Sequence, residues 1–399
     1  MENSTYDLII LGAGPAGLTA AGAAAARGRR VLILEKASHP AGKLLLSGGG
    51  KGNVTNRSVR ATDYVSEGSS GFVVPALKHF TPDMLLRRLA ESGIAVEERE
   101  HGRIFCVRSA KDILDMLLAA LPGSRCRLQC NCAIADINFE RGFFFVRAEG
   151  RLVSAPKLIA ATGSAAWPQC GADDSGLQFL RKLGHRIVPA RPVLVPFVLP
   201  PDTPFTDLAG ISVLVRVGCS APGAPEFTEP VLFTHKGLSG PAVLQISCYW
   251  RKGDALRLDF LPQQDMAALL DRATGKATPQ SILSNFLPDR LCRALLPEQT
   301  ATRRAAELSR KDRTLTAEAV HNYNVIPLRT EGLARAEAAA GGVDTSEMEP
   351  ETMESKLVPG LFLCGEVLDI TGRLGGYNLH WAWASGDLAG KTVGGAGTL

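Results

Sequence analysis

The pattern of apolar and polar positions is most legible at the start of the chain. Residues 7–11 read DLIIL, an apolar run that predicts a strand buried on both faces of a parallel sheet. A glycine-rich turn follows at once, Gly12-Ala-Gly14-Pro-Ala16-Gly17, and then an Ala-rich stretch that predicts a helix ending at Gly28. Residues 30–34 predict a second strand, which ends at Glu35.

Further on, residues 81–93 predict a helix with Thr81 as N-cap and Pro82 at its first position. Residues 101–107 predict a strand and 109–123 a second helix. Residues 130–139 and 143–148 predict a hairpin around residues 140–142, and 157–163 a strand running into Thr162-Gly163. From about residue 190 the text becomes proline-rich with short β-like runs, whereas 263–322 carries a helical period near 3.6. The last strand is expected at 360–367, followed by a glycine-broken loop and a helix over 377–390. No internal repeat or low-complexity linker interrupts this order.

The first 35 residues therefore spell strand, glycine turn, helix, strand and acid. GxGxxG alone is weak evidence, but in this frame each part has a mechanical task. Gly12 permits the tight turn, Gly14 admits a pyrophosphate close to the backbone, and Gly17 lets helix and strand pack. The helix N-terminus offers N–H groups and a positive dipole end to phosphates. Glu35 is suited to accept from ribose hydroxyls, and an acid there argues for FAD or NAD over NADP. A second glycine-rich segment spans residues 41–56. Gly42, Gly48, Gly49, Gly50 and Gly52 exclude a stable helix, and Lys43, Lys51, Asn53 and Asn56 suit an anionic or ring-edge ligand.

Composition narrows the function classes. With 44 Lys+Arg against 40 Asp+Glu in 399 residues, the net charge of +4 argues against a dedicated nucleic-acid binder. No apolar stretch reaches membrane-spanning length and no secretory leader is expected. Nine cysteines without a CxxC pair fit a reducing cytoplasm; Cys130 and Cys132 read as small strand hydrophobes, and no metal site is expected. There is no second GxGxxG after a strand and no CxxxxC, which excludes a disulfide reductase with its own nicotinamide domain.

Three segments carry a resemblance: KLLLSGGGKGNVTN (43–56), LFTHKGLSGPAVLQIS (232–247) and TMESKLVPGLFLCGEVLDITGRLGGYNLHWAWASG (352–386). With the N-terminal motif, they resemble the YhiN/BaiN-type bacterial flavoproteins over nearly the whole chain. The chain departs from that family's usual residues at Lys51-Gly52, Thr371 and His380. The resemblance implies an α/β fold: a Rossmann-like, glutathione-reductase-type FAD domain with an inserted β domain and a helical insert domain. The expected bounds are 1–190 and 343–399 for the FAD domain, 191–262 and 323–342 for the β domain, and 263–322 for the helical one.

The resemblance also implies FAD contacts. Gly12, Gly14, Ala16 and Gly17 would hold the pyrophosphate, with Glu35 and Lys36 beside the adenosine ribose. Gly42, Lys43, Ser47, Gly48, Gly49, Gly50 and Asn53 would wrap the pyrophosphate and flavin. Cys132 or Ala133 would offer backbone to the adenine, and Thr162 and Gly163 form the Ala-Thr-Gly stretch. Gly365 and Glu366 would meet ribityl or phosphate, and Gly375, Gly376, Tyr377 and Asn378 the flavin ring. A helix starting near Tyr377 would aim its positive end at the pyrimidine edge of the ring.

Tyr377 and His380 are the candidate acids. His235, His321, Arg103 and Arg329 are read first as packed or solvated side chains, and Trp381 and Trp383 as packing. Three activities are implied. The first is an NADH- or NADPH-dependent reductase, with the nucleotide docking transiently, acting on a conjugated C=C of an apolar, bile-acid-like small molecule. The second is an oxidase of small amines or amino-ketones. The third is an FAD-binding protein with an RNA-modifying or structural role, which the balanced charge disfavours, so no nucleic-acid partner is expected. Oligomeric state stays open.

Overall fold

The computed structural model describes residues 6–395, and the chain divides into two compact units, 1–191 with 338–399, and 192–337. The first unit is built on a five-stranded parallel sheet. Its strands are β1 (Leu8–Leu11), β2 (Val31–Leu34), β3 (Cys126–Gln129), β4 (Lys157–Ala160) and β5 (Leu361–Leu363), in the spatial order β5-β4-β1-β2-β3. Leu8 pairs with Val31 on one side and Lys157 on the other, so the first strand is central. All four residues of β1 and of β2 are buried, as continuous apolar runs require when both sheet faces are covered.

Helix α1 (Pro15–Ala26) follows β1 directly, and helix α2 (Tyr377–Val393) follows β5. Their crossing is close because both are lined by small residues. A Cβ on Gly386 would overlap the carbonyl of Ala16, and one on Gly390 that of Ala20. The C-terminal helix is thereby locked onto the helix of the glycine turn. Two of its tryptophans then act as core hydrogen-bond donors: Trp381 Nε1 to the Gly365 carbonyl at 3.1 Å and Trp383 Nε1 to the Val54 carbonyl at 2.9 Å. Both are nearly fully buried, in keeping with packing.

Two departures from the sequence expectations concern strands. The hairpin begins at Ile134 and continues into a third strand, Arg151–Ala155, making a three-stranded antiparallel sheet. Cys126–Gln129, which has no strong apolar alternation, joins the parallel sheet because it lies beside Val31–Leu34. The expected helix over 81–93 forms as Pro82–Glu91, with the Thr81 side chain accepting from Met84 N.

The second unit holds a seven-stranded sheet whose longest pair is the antiparallel Ser212–Cys219 and Phe227–Phe233. Short helices, from Met266–Asp271 to Arg310–His321, share one apolar cluster with that sheet, in which Phe233 and Phe260 accompany Leu283, Leu291 and Leu295. The helical stretch is thus part of one unit with the strands rather than a domain of its own. Residues 338–342 fall in the first unit, where Ala338–Val343 lies beside Ile187–Val193. No helix among the described residues is long and apolar enough to cross a membrane.

The helix crossing makes a prediction. Gly390→Val should destabilise the first unit by about 3 kcal/mol through overpacking against Ala20. Urea unfolding of the purified variant measures this, and an unchanged midpoint would contradict the packing.

Candidate functional site

The glycine turn is built by exclusion of side chains. Gly12 has φ +98° and faces the Ala161 carbonyl; Gly17 faces the carbonyl of Gly12. Neither site has room for a Cβ. Gly14 is the opposite case: a Cβ there would meet nothing within 4 Å. The two outer glycines therefore close the turn, and the middle one faces open space. Helix α1 begins at this point with Gly14 as its N-cap, no side-chain cap and no acid in its first turn. Its positive end is left for an anion to complete.

Glu35 stands at the end of β2 and both its oxygens are engaged. Oε2 accepts from Ala13 N at 2.7 Å and Oε1 from Ala37 N at 2.8 Å. Its first task is to hold the glycine turn, and its remaining lone pairs are what a ribose could use. Lys36 is paired with Asp173 at 2.6 Å. The N–H of Cys132 donates to the Glu35 carbonyl and that of Ala133 to Glu149, so the expected adenine contacts there reduce to carbonyls.

The second glycine segment contains one short helical turn, Gly42–Leu46, and then breaks. Gly48 and Gly49 sit at φ +57° and +66°, and a Cβ on Gly49 would again meet nothing. Lys43 Nζ donates to Glu366 Oε2 at 2.6 Å, and Ser164 Oγ donates to the same oxygen at 3.2 Å. Lys43 and Glu366, 323 positions apart in sequence, thus meet at one point. Gly365 beside them is held at both ends of its peptide, N–H to Ser385 Oγ and C=O from Trp381.

Two polar atoms among the expected contact residues are buried and have no hydrogen-bond partner: Asn53 Oδ1 and Thr162 Oγ1. Gly163, next to Thr162, also faces open space. Buried polar atoms require partners. These orphans, the uncapped helix end and the open glycines together fit a dinucleotide. Among the described residues no cluster of metal ligands accompanies them.

The loop before α2 closes the other end. Asn56 Nδ2 donates to the carbonyls of Gly375 and His101, at 3.1 and 3.0 Å. Gly376 has φ +93° and lies against the Thr55 backbone. Asn378, expected at the flavin ring, spends its side chain on Gly372: Oδ1 accepts from its N–H at 2.8 Å and Nδ2 donates to its carbonyl at 2.9 Å. A cofactor would meet the backbone of this loop rather than the amide of Asn378.

Tyr377 is half-buried. Burial first, and then the Asp63 carboxylate, push its hydroxyl up to about 12, against the lowering influence of Arg373, Arg60 and Arg103. It is neutral and proton-bearing at neutral pH. Asp63 is itself buried, with Arg373 at 3.6 Å, Arg60 at 3.8 Å and the Arg60 N–H at 2.8 Å. Tyr64 donates from its hydroxyl to the Tyr377 carbonyl at 3.1 Å. Asp63, Tyr64 and Arg373 were not foreseen. Arg373 lies inside the resembling segment, but Asp63 in ATDYV carries no motif.

His380 is corrected from candidate acid to core residue. It is fully buried, with Nδ1 2.8 Å from Thr55 Oγ1 and Nε2 3.1 Å from the Phe80 carbonyl. Both nitrogens are occupied, so neither serves a substrate. Thr371, another departure from the resembling family, is buried and donates to the Ala339 carbonyl. In the second unit His321 is likewise structural, bridging Asp259 and Met266 N. His235 and Arg329 are exposed.

Two predictions follow from this geometry. Gly14→Glu should fold as the parent does yet purify colourless, since the added carboxylate occupies open space where an anion belongs. A yellow, folded variant would refute the placement. The second concerns pH. Burial lowers the His380 imidazole from 6.5 to about 4. Between those values the unfolded chain binds a proton that the folded chain does not. Its stabilising contribution is complete above about 6.5 and is lost as pH falls toward 4. By about pH 5 the loss reaches roughly 2 kcal/mol. His380→Gln should remove that part of the slope in urea unfolding at about pH 7 and about pH 5, and equal slopes would contradict it.

Comparison with known proteins extends the picture. Residues 6–392 match the family described as HI0933-like protein Rossmann domain. The chain is 36% identical over 390 residues to a protein of Escherichia coli named ribosomal RNA dihydrouridine synthase, covering 95% of this chain and 96% of that one. A protein of the same name from Haemophilus influenzae is 35% identical over 386 residues, covering 94% and 96%. The 3-dehydro-bile acid delta(4,6)-reductase of Clostridium scindens is 32% identical over 406 residues, covering 96% and 98%.

Proposed function

This chain belongs to the HI0933-like family of Rossmann-domain flavoproteins and is an FAD-dependent oxidoreductase; from that premise we propose that it reduces a C=C bond conjugated to a carbonyl, with uracil in ribosomal RNA as substrate. The observation that carries the reading is full-length similarity to two proteins named for dihydrouridine formation in ribosomal RNA. A bile-acid reductase at 32% identity supports the same bond chemistry on another substrate, a steroid enone. Uracil C5=C6, conjugated to C4=O, and a steroid enone present the same electrophile. The expected apolar small-molecule substrate becomes the second reading, and the small-amine oxidase has no support among these relatives.

Bound FAD supplies the hydride in such a reduction, and NADH or NADPH docking transiently is the proposed donor. The chain's own residues supply binding, orientation and a proton. The first glycine turn and the start of α1 would hold the pyrophosphate. Lys43, Asn53, Thr162 and Gly365 would flank the cofactor. Asn56 and Asn378 fix the loop that carries Tyr377.

Tyr377 is the proposed acid. The reduced bond takes a proton on the carbon next to the carbonyl, and a neutral phenol can give one. Burial and Asp63 disfavour the tyrosinate left behind, and Arg373, Arg60 and Arg103 offset that cost only in part, which makes the neutral phenol a reluctant donor that solvent must reprotonate. Asp63 fastens Arg373 and Arg60 at that place.

The test is to incubate the yellow protein with protein-free ribosomal RNA and NADPH or NADH and to measure dihydrouridine in the digested RNA. We expect dihydrouridine from the parent. Tyr377→Phe should keep its FAD and lose roughly a hundredfold in turnover. Product absent from RNA but formed from a steroid enone would move the assignment to the second reading. An unchanged rate in Tyr377→Phe would remove Tyr377 as the acid.

A further inference from the structure

The balanced charge of the whole chain conceals a local excess in the second unit. Residues 271–313 fold back on themselves, and Arg313 is the tie. Its guanidinium pairs with Asp271 and donates to the carbonyls of Ala305 and Leu308, at 3.0 and 3.3 Å. Ala305 N donates to the Ala277 carbonyl at 2.8 Å, and Arg303 pairs with Asp312 at 3.3 Å. These bonds gather the end of one helix, a loop and the start of another into one surface.

That surface is basic. Arg272, Lys276, Arg303, Arg304, Arg310 and Lys311, all carried by the segments these bonds gather, are exposed. Residues 271–313 together hold nine cations against five carboxylates, an excess of four, and the carboxylates at this fold-back are Asp271, Glu307 and Asp312. The carboxylates are already engaged, by Arg313, Arg304 and Arg303. Arg272, Lys276, Arg310 and Lys311 have no ion-pair partner among the described residues.

Folding does not ask for these charges. Arg310 and Lys311 open the helix Arg310–His321, whose N-terminal dipole repels cations. Ser309 and Asp312 already cap that end reciprocally. Cations held together where the helix disfavours them, and left without counter-charges, suit an external polyanion.

We propose that this surface binds the phosphate backbone of the RNA substrate, an inference that rests on the ribosomal RNA reading above. It supplies affinity without reading bases, since phosphate contacts are sequence-independent.

The experiment uses the full-length yellow protein and the variant Arg272→Gln/Lys276→Gln/Arg310→Gln/Lys311→Gln. Binding of a labelled, protein-free ribosomal RNA transcript is followed by anisotropy across a salt series, with thermal unfolding as the fold control. Each phosphate contact contributes about 0.7 to the slope of log affinity against log salt for single strands. The variant should bind with a slope less negative by about 3 and roughly a hundredfold more weakly near physiological salt. Its melting temperature should be unchanged or higher, because two helix-start cations are gone.

Equal slope and affinity in parent and variant would overturn the surface. So would tight binding of the parent to anionic lipid vesicles with none to RNA. Salt-dependent RNA binding lost in the variant, with no dihydrouridine made by the parent, would keep the surface and remove the substrate reading. Dihydrouridine formed with the same KM by both proteins would keep the substrate reading and remove the surface.

Discussion

The close crossing of the two helices that follow β1 and β5 is the constraint on which the first unit rests. Gly386 and Gly390 bring the C-terminal helix against the backbone of Ala16 and Ala20, where any side chain would intrude. The crossing sets the start of the C-terminal helix, and with it Tyr377 and the loop before it. It also seats Ser385 and Trp381 where they grip the Gly365 peptide from both sides. One end of the chain thereby builds half of a site whose other half is encoded at the opposite end.

The site is made mostly of backbone, and its polar side chains are largely occupied in shaping it. Glu35 braces the first glycine turn, Asn56 and Asn378 pin the loop near α2, and Glu366 gathers Lys43 and Ser164. Such braces fix the orientation of N–H groups before a ligand arrives, which reduces the entropy lost on binding. The atoms left over for a cofactor are few: open glycines, the bare start of α1, Asn53 Oδ1 and Thr162 Oγ1.

Legibility in the sequence followed locality. β1, the glycine turn and α1 are contiguous and each has its own signature, so they could be read directly. The strand Cys126–Gln129 could not, because its place depends on pairing with Val31–Leu34 rather than on its own pattern. His380 read as a candidate acid because a sequence does not display burial; Thr55 and Phe80, 325 and 300 positions away, decide its role. Asp63 was invisible for the same reason, since its partner Arg373 is also some 310 positions distant. A net of +4 describes the chain, whereas the Arg313 tie assembles a patch with that same excess in about forty residues.

The central claim is that a conjugated C=C in ribosomal RNA accepts the reducing equivalents. The most direct measurement is anaerobic. The holoenzyme is reduced until the visible flavin band is bleached, then mixed with protein-free ribosomal RNA or, separately, with a steroid enone. The account predicts that RNA restores the yellow band rapidly, with one dihydrouridine formed per flavin reoxidised, and that the steroid does so far more slowly. A band that stays bleached with RNA and returns with the steroid would contradict it.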